Sequence, residues 1–324
     1  MAERINAEHG LVDTWTAGLG GPRTAALLDR LDQALPWSSL VRPVAALSGY
    51  KGGQKGGGPA GPALTMPRCV LLAKWCGLSD PQLEACLRDR LGFRRFVGLS
   101  LTDTAPDETT FVRFRARLRE ARLDRTLFDT TLSYLESQSL LVKDGTLVDA
   151  TIIEQSRGRK RADGTCSRDP EASFTRKNGE TYYGYKRHIA ADTRGIVKDY
   201  RSSDAAPHDS NFIDELTADE TRMVVADSAY RSAQREEELG LRGVCCAISF
   251  KRRKEQAGLP PLLKKLNGLI ASVRAIVERP FAWMKNTGYR RVRYRGKRRN
   301  GLDFALNLIA YNWKRSLSRT RTRA

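Results

Sequence analysis

Histidine is nearly absent from this chain. Three residues in 324, His9, His188 and His208, are too few and too scattered to build a histidine metal site. Cysteine is no better placed. Cys69, Cys76, Cys86, Cys166, Cys245 and Cys246 form no Cys-x-x-Cys pair, so they read as small apolar residues of a reduced interior rather than as a zinc site or a disulfide scaffold. No apolar run approaches the roughly 20 residues of a spanning helix. Residues 1–30 also lack the pattern of a secretory signal, and the expectation is a soluble, cytoplasmic protein with no membrane partner. Acidic residues are in deficit, with 37 Asp and Glu against 56 Lys and Arg, a net charge of +19. That imbalance calls for a polyanionic partner, nucleic acid first. Any metal must rest on carboxylates, which favours Mg²⁺ or Mn²⁺ over zinc.

Three carboxylates have the right surroundings. Asp149 ends the apolar run that starts at Thr146, Asp227 ends the run Met223-Val-Val-Ala, and Glu278 lies between Arg274 and Lys285 in a helical stretch. A carboxylate anchored on a buried strand end suits a site that holds a divalent ion. Taken singly, each is equally an ordinary turn or helix-surface residue.

The surrounding pattern sets the fold expectation. Residues 1–140 read as a helical N-terminal domain, interrupted by a Gly-rich linker over 51–61 that lacks the Gly-Lys-Ser/Thr of a phosphate loop. Ser79-Asp-Pro-Gln82 has the spacing of a capping box, and Asp107 opens a helix with Phe111, Phe114 and Leu118 on one side and Arg113, Arg115, Arg117 and Arg119 among them. These helices are either a helix-turn-helix DNA reader or a supporting bundle. From 141 to 315 the pattern turns to strands at about 146–153, 181–191, 195–202, 222–227 and 243–249, with helices at 211–216 and 232–239, an α/β arrangement with a mixed sheet. Residues 154–180 read as a long mobile loop. From Pro260 a stripe of Leu266, Ile270, Val273, Val277, Phe281 and Met284 predicts a helix packed on the sheet, with a kink or a new helix start near Glu278 forced by Pro280. Arg274, Glu278 and Lys285 are expected on one adjacent face. Leu302, Ala305, Leu306, Ile309 and Trp313 return to helical spacing and are expected to close the core, ahead of a basic tail at 316–324 that, with Arg315, is expected to be disordered.

With Leu147-Val-Asp-Ala-Thr151, Tyr183-Gly-Tyr-Lys-Arg-His-Ile189, Asp204-Ala-Ala-Pro-His-Asp209, Ala226-Asp-Ser-Ala-Tyr-Arg231 and the Glu278 segment in this order, the chain resembles the DDE transposases of bacterial insertion sequences, of the insertion-sequence-five type. Gly77-Leu-Ser-Asp-Pro-Gln-Leu-Glu84 and Pro106-Asp-Glu-Thr-Thr-Phe111 extend the likeness to the N-terminal part. The resemblance implies a ribonuclease-H-like catalytic core. It implies two Mg²⁺ ions, replaceable by Mn²⁺, held by Asp149, Asp227 and Glu278, serving cleavage at the element's ends and transfer of the 3′-hydroxyl to target DNA. The family signature Tyr-x₂-Arg-x₃-Glu-x₆-Lys is matched by Arg274, Glu278 and Lys285, while its Tyr position holds Ala271. The short interval from Asp227 to Glu278 leaves little room for an inserted domain. The partners implied are terminal inverted repeats and target DNA, with at least a homodimer on the paired ends.

Candidate phosphate contacts are Arg274, Lys285, Lys186 and the strap Arg290, Arg291, Arg293, Arg295, Lys297, Arg298 and Arg299, in which Tyr289 and Tyr294 are interleaved for stacking. Arg274 and Lys285 are otherwise helix-surface partners of Glu278. Two rival readings are a DNA-binding protein without catalysis, including a domesticated transposase, and a metal-dependent nuclease of the same fold.

Overall fold

Local signals in the sequence account for several helix boundaries. The computed structural model describes residues 23–47, 64–162, 164, 166–177, 179–252 and 258–320. The Gly-rich stretch at 51–61 and the last residues of the basic tail lie outside the described residues. The chain divides into two units, Met1–Tyr134 with Ala305–Ala324, and Leu135–Phe304.

The first unit holds helices α1 (Arg23–Ala34), α2 (Trp37–Ala45), α3 (Thr65–Cys76), α4 (Asp80–Asp89), α5 (Leu91–Val97), α6 (Glu108–Glu120) and most of α7 (Leu123–Ser137). Ser79 caps α4 in a complete capping box with Gln82, and Asp107 caps α6 through the Thr110 amide. Both are local hydrogen bonds to otherwise unpaired helix-start amides. Phe111, Phe114 and Leu118 are buried as their spacing requires, while Arg113 and Arg117 face solvent and Arg115 pairs with Asp80. Trp37 and Trp75 each meet the Phe96 ring edge-on, and the Arg68 guanidinium lies 4.7 Å from the Trp37 ring centre.

The final helix, α12 (Lys297–Thr320), departs from expectation. Every residue from Leu302 to Trp313 is buried, not one stripe, and its part from Ala305 onward groups with the N-terminal helices. There the Trp75 indole donates to the Ala310 carbonyl at 2.8 Å and Tyr134 packs on Trp313. The stretch from 315, read as an unstructured tail, is helical through Thr320.

The second unit is a six-stranded mixed sheet in the order β2-β3-β1-β5-β6, with β4 also on β3. Its strands are β1 (Thr146–Glu154), β2 (Ser173–Lys177), β3 (Glu180–Ala191), β4 (Val197–Asp204), β5 (Met223–Ala226) and β6 (Cys245–Ile248). β1, β3 and β4 run antiparallel, and β5 and β6 return parallel to β1 after helices α8 (Ile213–Leu216) and α9 (Ala233–Leu241). Crossover helices are what parallel pairing demands. One face is sealed by Val148, Ala190, Ile213, Leu216, Val224, Leu239 and Ile248. On the other, the buried Arg187 guanidinium lies between the rings of Tyr185 and Phe304 and donates to the Tyr289 hydroxyl and the Asn300 carbonyl. Gly184 sits where β3 crosses β1 so closely that a Cβ would lie 2.2 Å from the Ile153 carbonyl oxygen.

The interval read as a mobile loop contains β2 and is pinned by Asp169. Its carboxylate accepts hydrogen bonds from Gln155, the Tyr185 hydroxyl and the Gly296 amide, and its carbonyl accepts from Tyr183. A buried carboxylate with several donors orders a polar segment that has no apolar periodicity to announce it.

Helix α10 (Pro261–Arg274) stops at Arg274, and α11 (Glu278–Asn286) starts at Glu278 with Pro280 inside its first turn, where the missing N–H costs nothing. The predicted stripe is therefore cut in two. Val277, Phe281 and Met284 are buried, whereas α10 buries no residue and leaves Leu262, Leu266 and Leu269 exposed. Nothing among the described residues covers these leucines. Among the described residues, no helix is long and apolar enough to cross a membrane.

Candidate active site

Strand register brings the first two carboxylates together. Leu147 pairs with Val225 across the parallel β1–β5 ladder, and Asp149 and Asp227 each stand two residues beyond that pair. The register therefore sets the two residues at the same level, Asp149 within β1 and Asp227 just past the end of β5. At that point β5 ends. Asp227 turns its Oδ1 onto the Ser228 amide at 2.5 Å and caps the 3₁₀ turn Ser228–Tyr230, whereas β1 continues to Glu154 beside β3. The divergence opens a crevice at the carboxyl ends of parallel strands, where α/β sheets place their sites.

Glu278 enters from the start of α11, and Arg274, the last residue of α10, links the acids. Its guanidinium lies 3.5 Å from Glu278 Oε1 and 3.9 Å from Asp227 Oδ2. It also acts on Asp149, as Glu278 does. Burial pushes the Asp149 carboxyl up to about 6; the Ala150 amide and Arg274 oppose this, and Glu278 adds to it. Asp227 and Glu278 are about half exposed, at 49% and 55%.

Three carboxylates outnumber the two cations that act on Asp149, Arg274 and Lys177, and the donors are all hard oxygens. Both features fit a divalent cation of the Mg²⁺ kind. As the side chains stand, no three His, Cys, Asp or Glu side chains among the described residues converge on one point. Asp227 Oδ1 is held by the Ser228 amide, and Glu278 Oε1 lies beside Arg274.

The predicted phosphate contacts separate into three groups. Arg274 is with the acids. Lys285 is not: it lines an open groove of about 440 Å³ with Ile152, Glu154, Tyr182, Ala282, Asn286 and Arg290. Ile152 and Glu154 alternate to the face of β1 opposite Asp149. Lys186 is 10% exposed, its ammonium 2.6 Å from the Pro207 carbonyl and 2.9 Å from Asp209, so its charge is committed internally. In the strap, Arg290, Arg291, Arg293, Arg295, Lys297, Arg298 and Arg299 are exposed. Backbone bonds hold the strap in place, the Val292 amide to the Glu154 carbonyl and the Gly296 amide to Asp169. Lys297 also pairs with Asp204. Tyr289 is buried against Phe304 and offers no ring to a base. A residue pattern of alternating cations and aromatics looks the same whether its rings face DNA or the core.

Two residues beside the site were not singled out from sequence as site residues: Tyr230, at the end of the turn capped by Asp227, and Asp209, at the start of another 3₁₀ turn. Both occur in segments that carry the family resemblance. His208 is exposed and caps the Asp209 turn through Ser210.

Residues 141–313 match the family model of the transposase DDE domain, and residues 22–117 match that of a second transposase domain. The first match covers more than half of the chain, which therefore belongs to the DDE transposases. No solved structure gives a significant match. Membership makes the mixed sheet a ribonuclease-H-like fold and the protein a DNA transposase, a metal-dependent polynucleotidyl transferase and nuclease that binds DNA. The mixed sheet preceded by helices agrees with the architecture expected from sequence.

Proposed function

We propose that Asp149, Asp227 and Glu278 are the metal-holding carboxylates, that Mg²⁺ is the ion used, with Mn²⁺ able to substitute, and that the enzyme cuts at its element's terminal inverted repeats and joins the freed 3′-hydroxyl to target DNA. The observation that carries this reading is the level pairing of Asp149 and Asp227 with Glu278 tied in through Arg274. When bound, such ions stabilise charge on the attacking and leaving oxygens of the phosphodiester.

The protein's own residues supply the rest. Burial raises the Asp149 carboxyl, and a cation held by the three carboxylates would favour its charged form. Arg274 restrains Asp227 and Glu278 until then and afterwards faces the scissile phosphate. Lys285 and Arg290 hold backbone phosphates along the groove. The exposed cations from Arg291 to Arg299 extend the electrostatic track, neutralising phosphates without reading sequence. Two ends are brought together by at least two copies of the chain.

The test uses purified full-length protein with Mg²⁺, a labelled donor end and a supercoiled plasmid. Joined donor–plasmid products are expected, and their loss in Asp227→Asn and Glu278→Gln with DNA binding retained. Cleavage without joining would favour a nuclease, and full activity of Asp227→Asn would sink the site assignment.

A further inference from the structure

Behind the carboxylate pair lies a buried polar pocket whose groups are not matched to one another. The Tyr230 side chain is 2% exposed, yet its hydroxyl has no hydrogen-bond partner. The same holds for His188 Nδ1, in a residue that is fully buried on β3. Asp209 acts electrostatically on both groups, and the 3₁₀ turns that carry Asp209 and Tyr230 pack against each other. Asp209 Oδ1 likewise accepts no hydrogen bond and meets the Lys186 ammonium only as an ion pair, while the other neighbours are engaged. His188 Nε2 meets the Ser203 hydroxyl at 3.3 Å, its ring stacks 4.3 Å from Phe212, and Lys186 pairs with Asp209.

The Tyr230 hydroxyl is the member coupled to the site by charge. Asp149, Asp227 and Arg274 all act on it in addition to Asp209. Its backbone is fixed on both sides: its amide donates to the Asp227 carbonyl at 3.0 Å, and its carbonyl accepts from Arg235. A phenol held this rigidly with an unused donor is costly in a folded protein. Such orphaned groups are retained where a partner arrives in another state of the site.

We propose that Tyr230 is a positioning residue for the metal-holding carboxylates. When Asp227 and Glu278 turn to take up a cation, the Tyr230 hydroxyl donates its free hydrogen bond to Asp149 and fixes the orientation in which that carboxylate ligates. This rests on the reading of Asp149, Asp227 and Glu278 as metal ligands, and the experiment separates the two.

The test is Mn²⁺ binding to the full chain, followed by electron paramagnetic resonance of the free ion, for the wild type, Tyr230→Phe and Asp227→Asn, with thermal melts of each in chelator. Phenylalanine keeps the ring and removes only a hydroxyl that bonds to nothing in the metal-free protein, so the melting temperature of Tyr230→Phe should not fall. Its Mn²⁺ dissociation constant should rise about tenfold or more, as is usual when the hydrogen-bond partner of a ligand is removed. Unchanged affinity in Tyr230→Phe with binding abolished in Asp227→Asn would overturn the role of Tyr230 alone. Absence of Mn²⁺ binding in the wild type would overturn the metal assignment and this proposal with it. A large drop in melting temperature would make the hydroxyl structural and also overturn it.

Discussion

Replacing Asp149 by asparagine should make the metal-free protein more stable at neutral pH. Burial holds this carboxyl at about 6 against an ordinary value of 3.8. The folded state therefore keeps a proton that the unfolded chain has released, and stability falls as pH rises from 3.8 through 6. Above that window the accumulated deficit is at most about 3 kcal/mol. The asparagine amide must itself be desolvated in the same place, so a gain of roughly 1 to 2 kcal/mol is expected. For a unit of this size that is a rise in melting temperature of roughly 3 to 6 °C. The assay is thermal melting of both proteins in chelator at fixed ionic strength, at pH 7.5 and near pH 4. The variant should melt higher at pH 7.5, and the gap should close near pH 4, where wild-type Asp149 is protonated when folded. Adding Mg²⁺ should then reverse the order, because the wild type gains binding free energy that the variant cannot, about 2.7 kcal/mol at a hundredfold excess over the dissociation constant. A variant that melts below the wild type at pH 7.5 in chelator, or a gap independent of pH, would refute this account of Asp149.

Removing both cations of the groove, Lys285→Ala with Arg290→Ala, should weaken binding to donor and unrelated DNA alike. The slope of log affinity against log salt should become shallower by about one for each phosphate left without its cation; an unchanged slope would take these residues out of the DNA track. Gly184→Ala should destabilise the catalytic unit by roughly 3 kcal/mol or more. The added Cβ would meet a backbone oxygen at 2.2 Å and could not be accommodated by a side-chain shift. Urea unfolding checks this, and a midpoint within error of the wild type would show that the β1–β3 ladder yields there.

Much of this protein is decided by its sequence alone, because the deciding interactions are local. The Ser79–Gln82 box and the Asp107 cap join groups three residues apart, and Pro280 calls for a kink or a new helix start near Glu278, of which the structure shows the start. The deficit of acids points to a polyanion, and the scarcity of histidine means that any metal rests on carboxylates, which favours a hard ion. Tertiary structure decides what depends on pairing across long stretches of chain. Only the Leu147–Val225 register brings Asp149 level with Asp227, and only the turn between α10 and α11 sets Arg274 beside both Asp227 and Glu278 while sending Lys285 to another groove. Burial sorts the rest. Tyr289 and Lys186, read as DNA contacts, are spent inside the protein, and Tyr230 stands beside the acids with its hydroxyl unmatched. Periodicity shows which residues share a face of a helix or strand, but what that face meets is set by residues distant in sequence.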